Sequence, residues 1–202
     1  MPSEGRPATE IGPRVLTFGA PPGASPRAAT GRLALLDRDG VLIVDRGHVS
    51  AREQVEWIAG VPQAIRSLRE AGYAVVIVTN QAGIAKGLYS EAQFVELMRW
   101  MVSELADEGA PIEAVYYCPH HPTEGRPPYL VDCPCRKPKP GMLLRALEDA
   151  GAAPAESLMI GDKQTDMQAA QAAGVPGYLF PGGDLGELVG GLIARPPQPR
   201  GA

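Results

Sequence analysis

Aromatic residues make up 5% of the 202-residue chain, cysteine and histidine occur three times each, and no uninterrupted apolar run approaches the length of a bilayer span. Each scarcity removes a class of protein. With no such run, and without the basic start and apolar core of a secretory signal, a cytoplasmic protein with no membrane partner is expected. An odd number of cysteines cannot complete a disulfide framework and agrees better with thiols kept for a metal. Cations are not in excess either: a net charge of -4 and a pI near 5.4 disfavour a general nucleic-acid surface, which must neutralise many phosphates, and few aromatics are present to stack bases. The length suits one domain of common size, able to bury a core without covalent staples.

Residues 1 to 30 are rich in Gly, Pro, Ala and Ser and read as a flexible extension in which only Val15 to Phe18 is able to pair. The tail 181–202 is similar apart from a short helix expected over Asp184 to Leu192. Between them the pattern alternates. Strands are expected at Leu33–Leu36, Tyr73–Thr79, Ala114–Tyr117, Leu158–Ile160 and Val175–Phe180, and helices at Val61–Ala71, Ser90–Glu108, Met142–Ala150 and Asp166–Ala173. Such alternation predicts an α/β, three-layer, Rossmann-like domain over 31–180, with a central mostly parallel sheet that binds ligands beyond the carboxyl ends of its strands.

Those ends carry the polar residues. Asp37 and Asp39 follow the first strand in LLDRDGVL, Thr79 and Asn80 the second, and Asp162 the strand LMIG, with Asp166 in reserve. Carboxylates crowded at one edge repel one another and call for a cation. Mg2+ suits hard oxygen ligands and stays bound to a phosphate. The chemistry this predicts is phosphoryl transfer. Asp37 attacks phosphorus, Asp39 moves a proton to the leaving alcohol and then takes one from water, and Thr79, the Asn80 backbone N–H and a lysine steady the equatorial oxygens. RKPKP supplies Arg136, Lys137 and Lys139 just before a helix, and Lys163 is a further source of the ammonium.

All three cysteines lie in one proline-broken loop. Cys118-x-His120 and Cys133-x-Cys135 offer three thiolates and an imidazole, a closed tetrahedral set for structural Zn2+, with His121 as rival to His120. Zinc would fix the direction of Arg136 and Lys137 immediately beyond Cys135.

Together LLDRDGVL, VTNQAGIAKG, CPHHP, CPCRKPKPG and IGDKQTDMQAA resemble the haloacid dehalogenase (HAD) superfamily and, within it, the D-glycero-D-manno-heptose 1,7-bisphosphate 7-phosphatases, close relatives of the histidinol-phosphatases. The resemblance implies a HAD fold and an aspartyl-phosphate intermediate. It makes Asp37 the nucleophile, Asp39 the general acid and base, and Thr79 with Lys137 the phosphoryl stabilisers. It places Mg2+ on Asp37, the Asp39 backbone carbonyl and Asp162, and Zn2+ on Cys118, His120, Cys133 and Cys135. Substrate contacts are implied for Asp45, Arg46, Gly47 and His48, for Asn80, Gln81, Ala82 and Gly83, and for Arg136 and Lys163. Val41, His48 and Ala82 depart from the residues usual in the family, the latter two on the substrate side. The segment from Asp39 to Val61 is too short for a large cap domain, so the zinc loop forms much of the entrance. Such an open site fits a small phosphorylated sugar and a monomer. Hydrolysis of histidinol phosphate, and a noncatalytic zinc interaction module, are the competing expectations.

Overall fold

The computed structural model describes residues 11–18 and 30–194. Expectations for 1–10, 19–29 and 195–202 lie outside the described residues. Six strands, β1 (Arg14–Thr17), β2 (Leu33–Leu36), β3 (Ala74–Asn80), β4 (Ala114–Cys118), β5 (Leu158–Gly161) and β6 (Gly177–Leu179), form one sheet in the order β1-β4-β3-β2-β5-β6. β2 to β6 run parallel, and β1 joins β4 antiparallel. The four apolar residues of β2 have no outward face because both sides of a central parallel strand are covered; all four are fully buried.

Helices α1 (Val61–Glu70), α2 (Ala82–Lys86), α3 (Glu91–Asp107), α4 (Gly141–Ala150), α5 (Gln164–Ala173) and α6 (Leu185–Ile193) complete the layers. One core gathers Ile65, Phe94, Leu97, Met101, Leu185 and Val189 against one sheet face. The other gathers Met142, Leu143, Ala146, Ala169 and Ala170 against the opposite face. The start of α3 is set by its sequence: the Ser90 hydroxyl accepts from Gln93 N–H and the Gln93 side chain accepts from Ser90 N–H, a reciprocal cap that satisfies two end donors. Among the described residues no helix is long and apolar enough to cross a membrane.

Three details differ from the sequence expectation. The last strand is shorter, because Val175 N–H bonds back to Ala170 O around left-handed Gly174 and so serves to end α5. The short helix α2 was not foreseen. The C-terminal helix is docked: its N-cap Asp184 accepts from Glu187 N–H, and Leu185 and Val189 are fully buried in the core shared with α1. The N-terminal stretch expected to pair does so, adding β1 along the outer edge of β4.

Candidate active site

Parallel pairing brings the carboxyl ends of β2, β3 and β5 side by side. Asp37 is the first residue past β2, and its N–H donates to Ile160 O of β5. Thr79 and Asn80 close β3, and Asp162 follows β5. From the loop before α4, Lys137 reaches into this group with its side chain almost fully buried. Its Nζ lies 3.0 Å from Asp37 Oδ1 and 2.6 Å from Asp166 Oδ1, and it donates to Val78 O at 2.8 Å. Asn80 clamps the lysine's backbone from both sides, its amide donating to Lys137 O and its carbonyl accepting from Lys137 N–H. Of the cations left open in the sequence, Lys137 is therefore the one inside the cluster. Lys139 is exposed and paired with Asp132. Lys163 is about half exposed, 2.8 Å from Asp45 and 3.8 Å from Asp162.

Asp39 sits apart from the other carboxylates. Arg38, 1% exposed, holds it through two nitrogens at 2.8 and 3.1 Å, and Gln81 donates to the same carboxylate at 3.2 Å. Gln81 Nε2 also donates to Thr79 Oγ1, while its carbonyl accepts from the Tyr89 hydroxyl at 2.6 Å, so the amide has one orientation that serves Thr79 and Asp39 together. Sequence reasoning missed Arg38 and Tyr89. A charged residue between two aspartates at the end of an apolar strand was a usable signal for the first; nothing in the sequence marked the second. Gln81 is 2% exposed and lies beneath the site.

Asp37, Asp162 and Asp166 can each direct an oxygen to within 4.8 Å of the others. Asp162 Oδ1 is buried with no hydrogen-bond partner, and a Cβ on Gly40 would overlap the Asp162 carboxylate. The glycine after Asp39 thus lets Asp162 close on Asp37, leaving an acceptor aimed at nothing the protein provides. Burial, opposed by Lys137, pushes Asp37 up to about 7; burial raises Asp162 as well. For Lys137 burial alone would lower the ammonium, but Asp37 and Asp166 outweigh it and hold it above its ordinary value. Hard oxygen donors whose ionisation the protein alone opposes fit Mg2+. Asp166, held in reserve by the sequence reading, takes a full place in the cluster.

The four soft donors meet as well. Cys118 and Cys133 sulfurs are 3.3 Å apart, Cys133 and Cys135 2.9 Å, and His120 Nδ1 stands 3.8 Å from Cys118 Sγ and 3.7 Å from Cys135 Sγ. The edge between sulfurs in a tetrahedral zinc site is about 3.8 Å for bonds near 2.3 Å, so the set is gathered at the right scale. All four residues are buried. Burial pushes the Cys118 thiol up to about 12, so a thiolate at Cys118 requires a cation. His121 is engaged elsewhere, its Nδ1 accepting from Glu124 N–H at 2.9 Å. Cys135→Ser is expected to lower the melting temperature by roughly 10 °C, since several kcal/mol of zinc binding leave a domain of this size. Differential scanning fluorimetry with bound-zinc analysis checks it; an unchanged melting temperature at full zinc content would contradict a structural metal.

Around this centre Gly47 N–H donates to Asp45 Oδ1. That donor and Lys163 together outweigh burial and keep the Asp45 carboxyl below its usual range. Arg46 is exposed and paired with Glu56, and His48 is exposed. Arg136 donates to His120 O at 3.3 Å, which ties its guanidinium to the zinc loop. Ala82 and Gly83 open α2, and a Cβ on Gly83 would overlap the Tyr89 ring.

Known proteins resemble this chain in both sequence and fold. A HAD-hydrolase-like family model matches residues 134–188. The D-glycero-beta-D-manno-heptose-1,7-bisphosphate 7-phosphatase of Pasteurella multocida is 50% identical over 138 residues, 68% of this chain and 74% of that protein. Its counterpart from Vibrio cholerae is 49% identical over 140 residues, 69% of this chain and 75% of that protein. Among solved structures, D,D-heptose 1,7-bisphosphate phosphatase from B. bronchiseptica, complexed with magnesium and phosphate, superposes with a TM-score of 0.67 at 33% identity, covering 84% of this chain and 90% of that one. A HAD-like phosphatase from Mesorhizobium loti superposes with a TM-score of 0.75 at 31% identity over 94% of this chain and 98% of that one. With half its aligned residues shared across about three quarters of such a relative, the chain belongs to the D-glycero-D-manno-heptose 1,7-bisphosphate 7-phosphatase family of the HAD superfamily.

Proposed function

We propose that this protein removes the C7 phosphate of D-glycero-D-manno-heptose 1,7-bisphosphate, leaving heptose 1-phosphate for nucleotide-activated heptose synthesis. The observation that carries the chemistry is the buried Lys137 ammonium, 3.0 Å from Asp37, at the edge where three carboxylates meet. Asp37 attacks phosphorus, and the bond to the sugar oxygen breaks as the new oxygen–phosphorus bond forms. Asp39 gives the departing alkoxide its proton; the proton it then takes from water lets that water open the aspartyl-phosphate and restore Asp37. Lys137, the Thr79 hydroxyl and Asn80 N–H hold the equatorial oxygens as charge spreads over them. Held by Asp37, Asp162 and Asp166, with the Asp39 carbonyl, Mg2+ would supply the charge neutralisation that lets a phosphate dianion approach a carboxylate.

The two aspartates stand in different surroundings, as a division of labour requires. Asp37 is in the cation cluster, whereas Asp39 is turned toward Arg38 and Gln81. Identity to heptose bisphosphatases supports the substrate, and Arg136 and Lys163 supply cations at the mouth for a second phosphate. Asp45, Arg46, Gly47, His48 and Ala82 complete the substrate side of the same reading, with Gln81 and Gly83 buried behind them. We place the enzyme in the cytoplasm, where thiols stay reduced and available for zinc, and acting as a monomer.

Turnover of the purified protein on heptose 1,7-bisphosphate and on histidinol phosphate tests the assignment. A higher kcat/KM on the bisphosphate is expected. Faster hydrolysis of histidinol phosphate would overturn the substrate, and release unaffected by Mg2+ would overturn the chemistry.

A further inference from the structure

Zinc held by Cys118, His120, Cys133 and Cys135 would fix only the two ends of the loop between His120 and Cys133, and on the phosphatase reading the middle of that loop lines the substrate entrance. What holds the middle is found in residues the phosphatase chemistry does not use. Glu91, the first residue of α3, is about three-quarters buried, and three separate segments converge on its carboxylate. The Tyr117 hydroxyl donates to Oε1 at 2.9 Å, the Tyr129 hydroxyl donates to Oε2 at 2.7 Å, and Arg14 Nε lies 3.5 Å from Oε1. Tyr117 is the β4 residue just before zinc ligand Cys118 and packs on Phe94 at a centroid distance of 4.6 Å. Tyr129 lies in the middle of the zinc loop, where its carbonyl accepts from His121 N–H. Arg14 comes from β1 and stands opposite Tyr117 in the antiparallel register, so both side chains share one face of the sheet.

Glu91 is also two residues from Tyr89, which orients Gln81 beneath Thr79 and Asp39. The Tyr89–Glu91 step therefore touches the phosphate end with one side chain and the entrance loop with another, with the α3 cap between them. The loop's second attachment is on α2, where Arg126 N–H donates to Ala85 O at 2.9 Å and Gly125 lies against Ala85. Glu91 and α2 thus grip the loop from two sides.

We infer that Glu91 is a positioning residue that fastens the zinc loop and β1 to the phosphate-holding end, and that β1, ahead of the motif-bearing stretch 31–180, is a working part of the substrate entrance. Charge-assisted bonds to a partly buried carboxylate are strong enough to set a loop that zinc alone anchors at its ends. The role in substrate capture rests on the phosphatase reading; the role in holding the loop does not.

Tyr129→Phe and Arg14→Ala in the full chain, with Glu91→Gln beside them, separate these. Tyr129→Phe is expected to raise KM about 3- to 10-fold with kcat within about twofold, and to speed zinc transfer to a chromophoric chelator by a similar factor. Arg14→Ala should move both in the same direction by less, and Glu91→Gln by more. A merely structural role would lower kcat with the folded fraction and leave KM unchanged. Wild-type KM and zinc-transfer rate in both Tyr129→Phe and Arg14→Ala would overturn the proposal. An effect of Tyr129→Phe without one of Arg14→Ala would overturn the part assigned to β1. If Glu91→Gln fails to fold, the other two variants decide. If the wild type hydrolyses no phosphomonoester, the phosphatase reading fails while the zinc-transfer arm still tests the fastening.

Discussion

Asp37→Asn is expected to lower phosphate release by at least about 10,000-fold, because an amide oxygen carries neither the charge nor the nucleophilicity for an in-line attack on phosphorus. The shape of the site should survive. The Arg38 N–H that donates to Asp37 Oδ1 at 2.7 Å finds the same acceptor in asparagine, and Lys137 keeps Asp166 and Val78 O. Stability should move the other way. In the absence of Mg2+, burial pushes the Asp37 carboxyl up to about 7 from its ordinary 3.8, so ionising it in the fold costs more than ionising it in the unfolded chain. That cost is nil below the unfolded value, grows as pH rises from 3.8, and is complete above about 7. In Mg2+-free buffer at pH 8 the asparagine variant is therefore expected to melt higher than wild type, with the difference vanishing toward pH 4. Added Mg2+ should stabilise the wild type more than the variant. Melting curves across this pH range check the sign. A variant that melts lower at pH 8 and gains as much from Mg2+ would show that Asp37 is no cation ligand.

The strands and helices that carry this chemistry were legible because local signals agreed with the fold. YAVVIVT has the β-branched content of a buried strand, and Ser90 is a good cap ahead of an apolar helical period. The carboxylates were legible because each follows an apolar run at the place where a parallel sheet opens. What stayed hidden was set by contacts between distant segments. Asn80 was expected to act through its backbone N–H; its side chain also brackets the backbone of Lys137, 57 residues away in sequence, which no local pattern encodes. Tyr89 reads as an ordinary residue before a helix cap until Gly83 is seen to leave room for its ring. Arg14 stands in a stretch of Gly, Pro and Ala, and its purpose appears only when β1 lies opposite Tyr117. Asp184 to Leu192 was legible as a helix, but its docking against α1 depends on the fit of Gly60 to Asp184, where an added Cβ would overlap the carboxylate.

Lys137→Met separates the two duties of the buried lysine. Its ammonium neutralises Asp37 and Asp166 in the resting protein, and in the reaction proposed above it also faces the transferring phosphoryl group. Methionine fills a similar volume without charge, leaving Asp37 and Asp166 with no buried cation and Asp162 with only the half-exposed Lys163 at 3.8 Å. Breaking such a buried network by removing one partner costs about 3–5 kcal/mol, so the Mg2+-free variant should melt well below wild type. The three carboxylates then repel one another with nothing between them, and Mg2+ is the ion that relieves them. Half-maximal stabilisation should accordingly occur at a lower Mg2+ concentration than in wild type, and saturating Mg2+ should restore most of the lost melting temperature. Activity will not follow. With the metal site filled, the equatorial oxygens still lack the ammonium that meets their developing charge, and losing one such donor lowers kcat by about 100- to 1,000-fold. Recovery of stability by Mg2+ without recovery of kcat is the expected signature. Recovery of both would mean that the lysine only balances charge, leaving Thr79 and the Asn80 backbone N–H to hold the phosphoryl group.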